Sequence, residues 1–202
     1  MAIDNLFSTP LYYSNVDNYD VIQEEVAGLV ERSEFKTNPN WGNNHQLSDP
    51  NFTDNPVNTM ENTKNEIFRH VGNFLEGIKF QDSLDYNGQA NYVIAASWLS
   101  RFGKGQYAHV HSHAHHEIAG VYYHKVKGDQ GQFFIECPVA QQVNSFILNH
   151  RAQSVRITPQ PGMIMLFPGF LNHGVYANET DDDRISLSFN ISFQKPYFML
   201  NL

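Results

Sequence analysis

The chain has 202 residues, of which 41% are hydrophobic and 17% charged, a folded-domain composition that excludes a disordered or fibrous protein. Its formal net charge is −8, and its 13 Lys and Arg residues are scattered, which argues against nucleic-acid binding through phosphate neutralisation. One cysteine, Cys137, excludes an intrachain disulfide.

Residues 1–10 lack the basic and apolar regions of a signal peptide. No apolar run approaches the roughly 20 residues that span a bilayer, so a soluble cytoplasmic protein is expected. A single domain over 1–202 is expected from the length. Leu6 to Tyr13 reads as a first strand, with Pro10 suggesting an edge position. Val21, Ile22, Val26, Leu29 and Val30 follow helical spacing, with Asn18 or Asp20 as caps. Residues 36–58, rich in Asn, Pro, Asp and Thr, read as a long irregular connection that could cover a site. Ile67, Phe68, Val71, Phe74, Leu75 and Ile78 mark a second amphipathic helix from about Thr59.

Past Gly88 the character changes to short β-prone runs: 92–102, 106–113, 118–126, 132–136, 143–148, 154–157, 163–167, 174–177 and 184–193. Turn residues separate most of them, the pattern of a sandwich or barrel. The expected class is α+β and mainly β. A helical and irregular part over about 1–88 would brace a β-core over about 89–202.

The densest chemical signal is His109-Val-His111-Ser-His113-Ala-His115-His116-Glu117. Alternate residues of a strand share a face, so imidazoles at i and i+2 can reach one metal, with a third ligand from elsewhere. The competing reading is a solvated histidine-rich edge. A register shift by two would make His109 and His111 the pair. The second signal is Pro161-Gly162, an apolar run to Phe167, Pro168-Gly169 and then His173. In the last run, Ile185, Leu187, Phe189, Ile191 and Phe193 take one face, and Arg184, Ser186, Ser188, Asn190 and Ser192 the other. That polar face is either solvated or lines a cavity, where an Arg can hold a carboxylate through paired charge-assisted hydrogen bonds and a Ser hydroxyl can add one more.

Together these residues resemble the 2-oxoglutarate- and Fe(II)-dependent oxygenases, whose pattern is H-x-D/E, a distal His, then Arg-x-Ser. His111-Ser-His113, His173 and Arg184-Ile-Ser186 take those places. The chain is similar to a bacterial and phage group with an H-x-H motif, through Ser97 to His113, Ala119 to Tyr123, Pro161 to Val175 and Asp183 to Asn190, and through the N-terminal Leu6 to Pro10 and the Trp41 region. The resemblance implies a double-stranded β-helix, a jelly-roll or cupin-like barrel. It implies Fe(II) on His111, His113 and His173, with Arg184 and Ser186 on the distal carboxylate of 2-oxoglutarate and Tyr107 and Tyr122 as further hydroxyl donors. The implied activity couples decarboxylation of 2-oxoglutarate by O₂ to hydroxylation of a metabolite or protein side chain. His113 stands where the family has a carboxylate, one negative charge fewer at the metal. Two rivals share the architecture. A cupin would add Glu117 to the three histidines, and a non-catalytic protein would reuse the fold for binding.

Overall fold

The computed structural model describes residues 8–39, 44–79, 91–113, 115–139, 146 and 154–193. Among the described residues, helices α1 (Tyr19–Arg32) and α2 (Glu61–Gly77) accompany eleven strands. These are β1 (Tyr12–Asn15), β2 (Lys36–Thr37), β3 (Gln46–Leu47), β4 (Tyr92–Phe102), β5 (Ala108–His111), β6 (Ile118–Lys125), β7 (Phe133–Ile135), β8 (Val155–Ile157), β9 (Met163–Pro168), β10 (His173–Val175) and β11 (Arg184–Phe193). All pairings are antiparallel and form a seven-stranded sheet ordered β1-β9-β6-β11-β4-β3-β2 and a four-stranded sheet ordered β5-β10-β7-β8. The protein is mainly β with two helices. A closed barrel, expected from the sequence, is not formed among the described residues; the two sheets remain separate.

Alternation along the central strand β11 separates two cores. Ile185, Leu187, Phe189 and Ile191 face outward and join Ile22, Val26, Ile67, Val71 and Phe74 of the helices. The opposite face of the large sheet meets the small sheet in a second core containing Phe102, Val121, Tyr123, Met165 and Phe167, with Ala108, Phe133, Ile135 and Val175 across from them. β11 is flanked by β4 and β6, so its backbone is hydrogen-bonded on both sides and its side chains are held on rigid backbone. A cavity lies between the sheets.

The helices are where the periodicity places them, although neither has a side-chain cap; Asn18 caps α1 through its carbonyl, which accepts from the Ile22 N–H. The first strand lies at the sheet edge but begins at Tyr12, with 6–7 outside the described residues. The expected strand over 143–148 falls on positions that, apart from 146, lie outside the described residues. Residues 36–58 are more regular than expected: β2 and β3 extend the large sheet through the Leu47–Ser100 pairing, and residues 56–59 form a 3₁₀ turn. No described helix is long and apolar enough to cross a membrane.

Candidate metal and oxo-acid site

Three histidines, His111 and His113 from β5 and the turn after it and His173 from β10, meet in the inter-sheet cavity. His173 and His111 are directly paired across β10 and β5. Their ring centroids are 4.3 Å apart, and His113 lies 5.3 Å from His111 and 5.0 Å from His173. The potential ligand atoms of all three lie within 4.8 Å of one another, and no other described His, Cys, Asp or Glu joins them.

Each ring is oriented through Nδ1. His111 donates to the His109 carbonyl (2.7 Å), His173 to the Leu171 carbonyl (2.9 Å) and His113 to Asn190 Oδ1 (2.6 Å). An Nδ1–H tautomer puts the lone pair on Nε2, the form a metal requires. Burial, together with mutual repulsion, holds His113 down to about 4 and His173 well below its ordinary value; burial also lowers His111. The rings are therefore neutral near pH 7. The donor set suits iron among other borderline metals. Phe133 and Phe167 flank His173, and Trp98 flanks His113, which gives the cluster apolar walls.

β5 ends at His111, so His113 is carried not by the strand but by the turn that follows. Its N–H donates to the Gly169 carbonyl at 2.7 Å, and the Gly169 N–H donates to the Glu117 carbonyl at 3.0 Å. A Cβ on Gly169 would sit 2.0 Å from the His116 carbonyl oxygen and 2.8 Å from that of His113, so this contact requires glycine. His109 contributes its carbonyl, and its ring meets Tyr107 edge-on with centroids 5.0 Å apart. The Glu117 carboxylate accepts from the Phe193 N–H at 3.2 Å and is not part of the cluster, so the four-ligand cupin set is not assembled.

Arg184 lines the same cavity and is 1% exposed. Its guanidinium lies 5.3 Å from the Phe102 ring centroid and 5.2 Å from that of Tyr123. Nη1 donates to the Gly131 carbonyl at 2.7 Å. Gly131 takes φ +86°, and a Cβ there would meet the Tyr176 carbonyl oxygen at 2.1 Å, so glycine again sets the backbone. Nε has no hydrogen-bond partner among the described residues, and none of their carboxylates forms an ion pair with this charge. Burial lowers its pKa, opposed by Tyr123.

Ser186 pairs with Tyr123 on β6 and with Ser100 on β4, so these three share the cavity face. Tyr123 Oη is buried with no well-formed hydrogen bond among the described residues, yet it interacts with the Arg184 guanidinium; burial pushes the phenol up to about 12, opposed by Arg184. Tyr122 pairs with Leu187 and therefore faces the helices, where its hydroxyl donates to Gln23 Oε1 at 3.1 Å. This corrects the assignment of Tyr122 to the cosubstrate, because opposite parity on β6 points it away. Tyr107 is 36% exposed and does not line the cavity either. His45, which the sequence did not single out, lines it, stacked on Phe102 at 4.7 Å and 8° and held down to about 4 mainly by burial. A lone histidine in a polar loop carries no sequence signal. Register alone finds Tyr123 and Asn190.

Residues 96–190 match the family model described as "Putative 2OG-Fe(II) oxygenase". The match is to the 2-oxoglutarate- and Fe(II)-dependent oxygenases. It contains both histidine motifs and Arg184. Among solved structures, a prolyl-4-hydroxylase from Pseudomonas putida is similar over 95% of both chains, with a TM-score of 0.61 and 12% identity. A viral collagen prolyl hydroxylase from Paramecium Bursaria Chlorella virus-1, solved with 2-oxoglutarate, is 13% identical with a TM-score of 0.52 over 89% of this chain and 95% of that one. HygX from Streptomyces hygroscopicus, solved with nickel, 2-oxoglutarate and hygromycin B, is 12% identical with a TM-score of 0.57 over 94% and 84%. At these identities the structural likeness shows a shared fold. Comparison with curated protein sequences gave no match.

Proposed function

We propose that this chain is a 2-oxoglutarate-dependent, Fe(II)-dependent dioxygenase, with residues 1–202 forming one domain of the double-stranded β-helix type. His111, His113 and His173 would hold the iron, and Arg184, with Ser186 and Tyr123, the distal carboxylate of 2-oxoglutarate. The observation that carries this reading is Arg184: a guanidinium buried between two rings, without a carboxylate partner among the described residues, in the cavity that also holds three neutral imidazoles. Leaving such a charge buried and unpaired is costly, so its retention is best explained by an anionic ligand.

Bound iron would supply the redox chemistry that couples oxidative decarboxylation of the keto acid by O₂ to oxidation of a second organic substrate. The protein's own residues orient and insulate. The histidine Nδ1–H bonds fix the faces of the ligand rings. Phe133, Phe167 and Trp98 keep the metal end apolar. Arg184 and Ser186, on one strand, fix the orientation of a dianion by its far end.

The test is anaerobic titration of apo-protein with Fe(II) and then 2-oxoglutarate, following the weak visible metal-to-ligand charge-transfer band. A band that needs both additions and weakens in Arg184→Ala is expected. Tight metal binding with no response to 2-oxoglutarate would sink the cosubstrate assignment, and no metal binding would leave a non-catalytic role.

A further inference from the structure

His113 is the one ligand candidate that no strand carries, yet its ring is tightly oriented. We propose that Asn190 is its positioning residue and that β11 holds His113, His116 and Glu117 in place. This inference rests on the metal-site reading above.

Three contacts, from Asn190, Ser192 and Phe193 of β11, tie these residues down. Asn190 Oδ1 accepts from His113 Nδ1 at 2.6 Å, the shortest of the three ring contacts at the site. His116 Nδ1 and Ser192 Oγ lie 2.8 Å apart. The Phe193 N–H donates to Glu117 Oε2 at 3.2 Å. The partners of His111 and His173 are backbone carbonyls two residues away in their own segments, so those rings are oriented locally. Only His113 depends on a side chain 77 residues distant. Asn190 is suited to this, because it is 6% exposed and its backbone pairs with Ala96 of β4 on one side and Ala119 of β6 on the other.

Chemically, Asn190 does two things. Its amide oxygen selects the Nδ1–H tautomer of His113, leaving Nε2 to bind metal, and it fixes rotation about the Cβ–Cγ bond. Because the amide is neutral, it adds no negative charge behind the ring, as a carboxylate partner would. The metal end thus stays uncharged in both its ligands and this partner.

The experiment is Co(II) and Fe(II) affinity by competition with a chelator, for wild type, Asn190→Ala and Asn190→Asp, with far-UV circular dichroism as the folding control. Asn190→Ala should bind metal about 10–100-fold more weakly, the usual cost of losing such an outer partner. Asn190→Asp keeps an acceptor and should bind as tightly as wild type or more so. Equal loss in both variants, or loss in neither, overturns the proposal. Wild type that fails to bind metal would instead overturn the site reading itself. Should Asn190→Ala not fold, nitrogen-15 histidine spectra of the wild-type apo-protein decide: His113 must be the Nδ1–H tautomer, and the Nε2–H tautomer refutes the assignment.

Discussion

Replacing Arg184 with methionine separates what this residue does for the fold from what it does for a ligand. Methionine has similar length and no charge, and it would lie between the same Phe102 and Tyr123 rings. Stability loses one charge-assisted hydrogen bond to the Gly131 carbonyl, which then stays buried, at a cost of about 1–3 kcal/mol. Against this, removing a buried charge that has no described carboxylate partner relieves desolvation; replacing even a paired buried ion set by apolar residues is often neutral or favourable by about 1–4 kcal/mol, and the relief here should be of that order. The two nearly cancel, so the ligand-free variant should melt within a few degrees of wild type. Cosubstrate binding should behave differently, because truncating one side of a buried charge pair costs roughly 2–5 kcal/mol, or about 30-fold to several thousandfold in affinity. Thermal melting with Mn(II), with and without 2-oxoglutarate, reads both. At a ligand concentration one hundred times Kd, wild type gains about 2.7 kcal/mol, which for a chain of this length is roughly 5–11 °C. Arg184→Met should show almost none of that shift. A variant that melts normally and still shifts like wild type would refute the assignment of Arg184 to the carboxylate.

Tyr123→Phe removes a buried hydroxyl that makes no well-formed hydrogen bond among the described residues and interacts with the neighbouring Arg184, so the ligand-free protein should keep its stability to within about 1 kcal/mol, while 2-oxoglutarate binds about fivefold more weakly in calorimetry. Tyr122→Phe, on the helix face, should leave that affinity unchanged. Gly169→Ala should displace the His113 turn, costing about 1–3 kcal/mol in denaturant melts and lowering metal affinity further than stability, since the clash is with the His113 and His116 carbonyls. His45 has a folded-state pKa near 4, below its unfolded value near 6.5, so protons favour the unfolded chain. Stability should be full above about pH 6.5 and decline as the pH falls toward 4. His45→Phe, which keeps the stacking on Phe102, should flatten that decline in urea titrations at stepped pH.

The features that repeat along the chain were legible from sequence. β4 and β11 have the bounds that alternation and turn residues give them, and the apolar face of β11 meets the helices. Features set by tertiary pairing were not. β2 and β3 are two residues each and exist because Leu47 pairs with Ser100 on β4, which no local pattern encodes. The Tyr122-Tyr123 pair shows the limit of period-two arguments. Either tyrosine satisfies the alternation, and only the Tyr123–Ser186 register, next to a bulge between Ile185 and Ser186, decides which one faces the cavity. The histidine run was read as one strand face over 109–115. The strand stops at His111, and Gly169 and Asn190 bring His113 back toward His111 by contacts about 56 and 77 residues away.

The charge balance of the cavity ties these residues together. The protein carries −8 overall, yet the described residues of this cavity include one buried cation and no acid, and the three metal-site rings are neutral. A divalent ion would raise the local excess to three positive charges. A carboxylate at position 113 would have lowered it by one, and so would an acid in place of Asn190; the sequence has neither. In a space largely walled by protein, where charges are less screened than in water, such an excess makes the two ends interdependent, since each destabilises the other until an anion spans them. 2-Oxoglutarate is a dianion with one carboxylate for each end. Metal and keto acid should therefore bind with positive coupling, each tightening the other by the same factor. In Arg184→Met the metal end loses its partner charge, so metal alone should bind more tightly than in wild type while the coupling falls. Calorimetric titrations of the two ligands in both orders would reveal this, and equal metal affinity with undiminished coupling in Arg184→Met would count against an electrostatic link between the two ends.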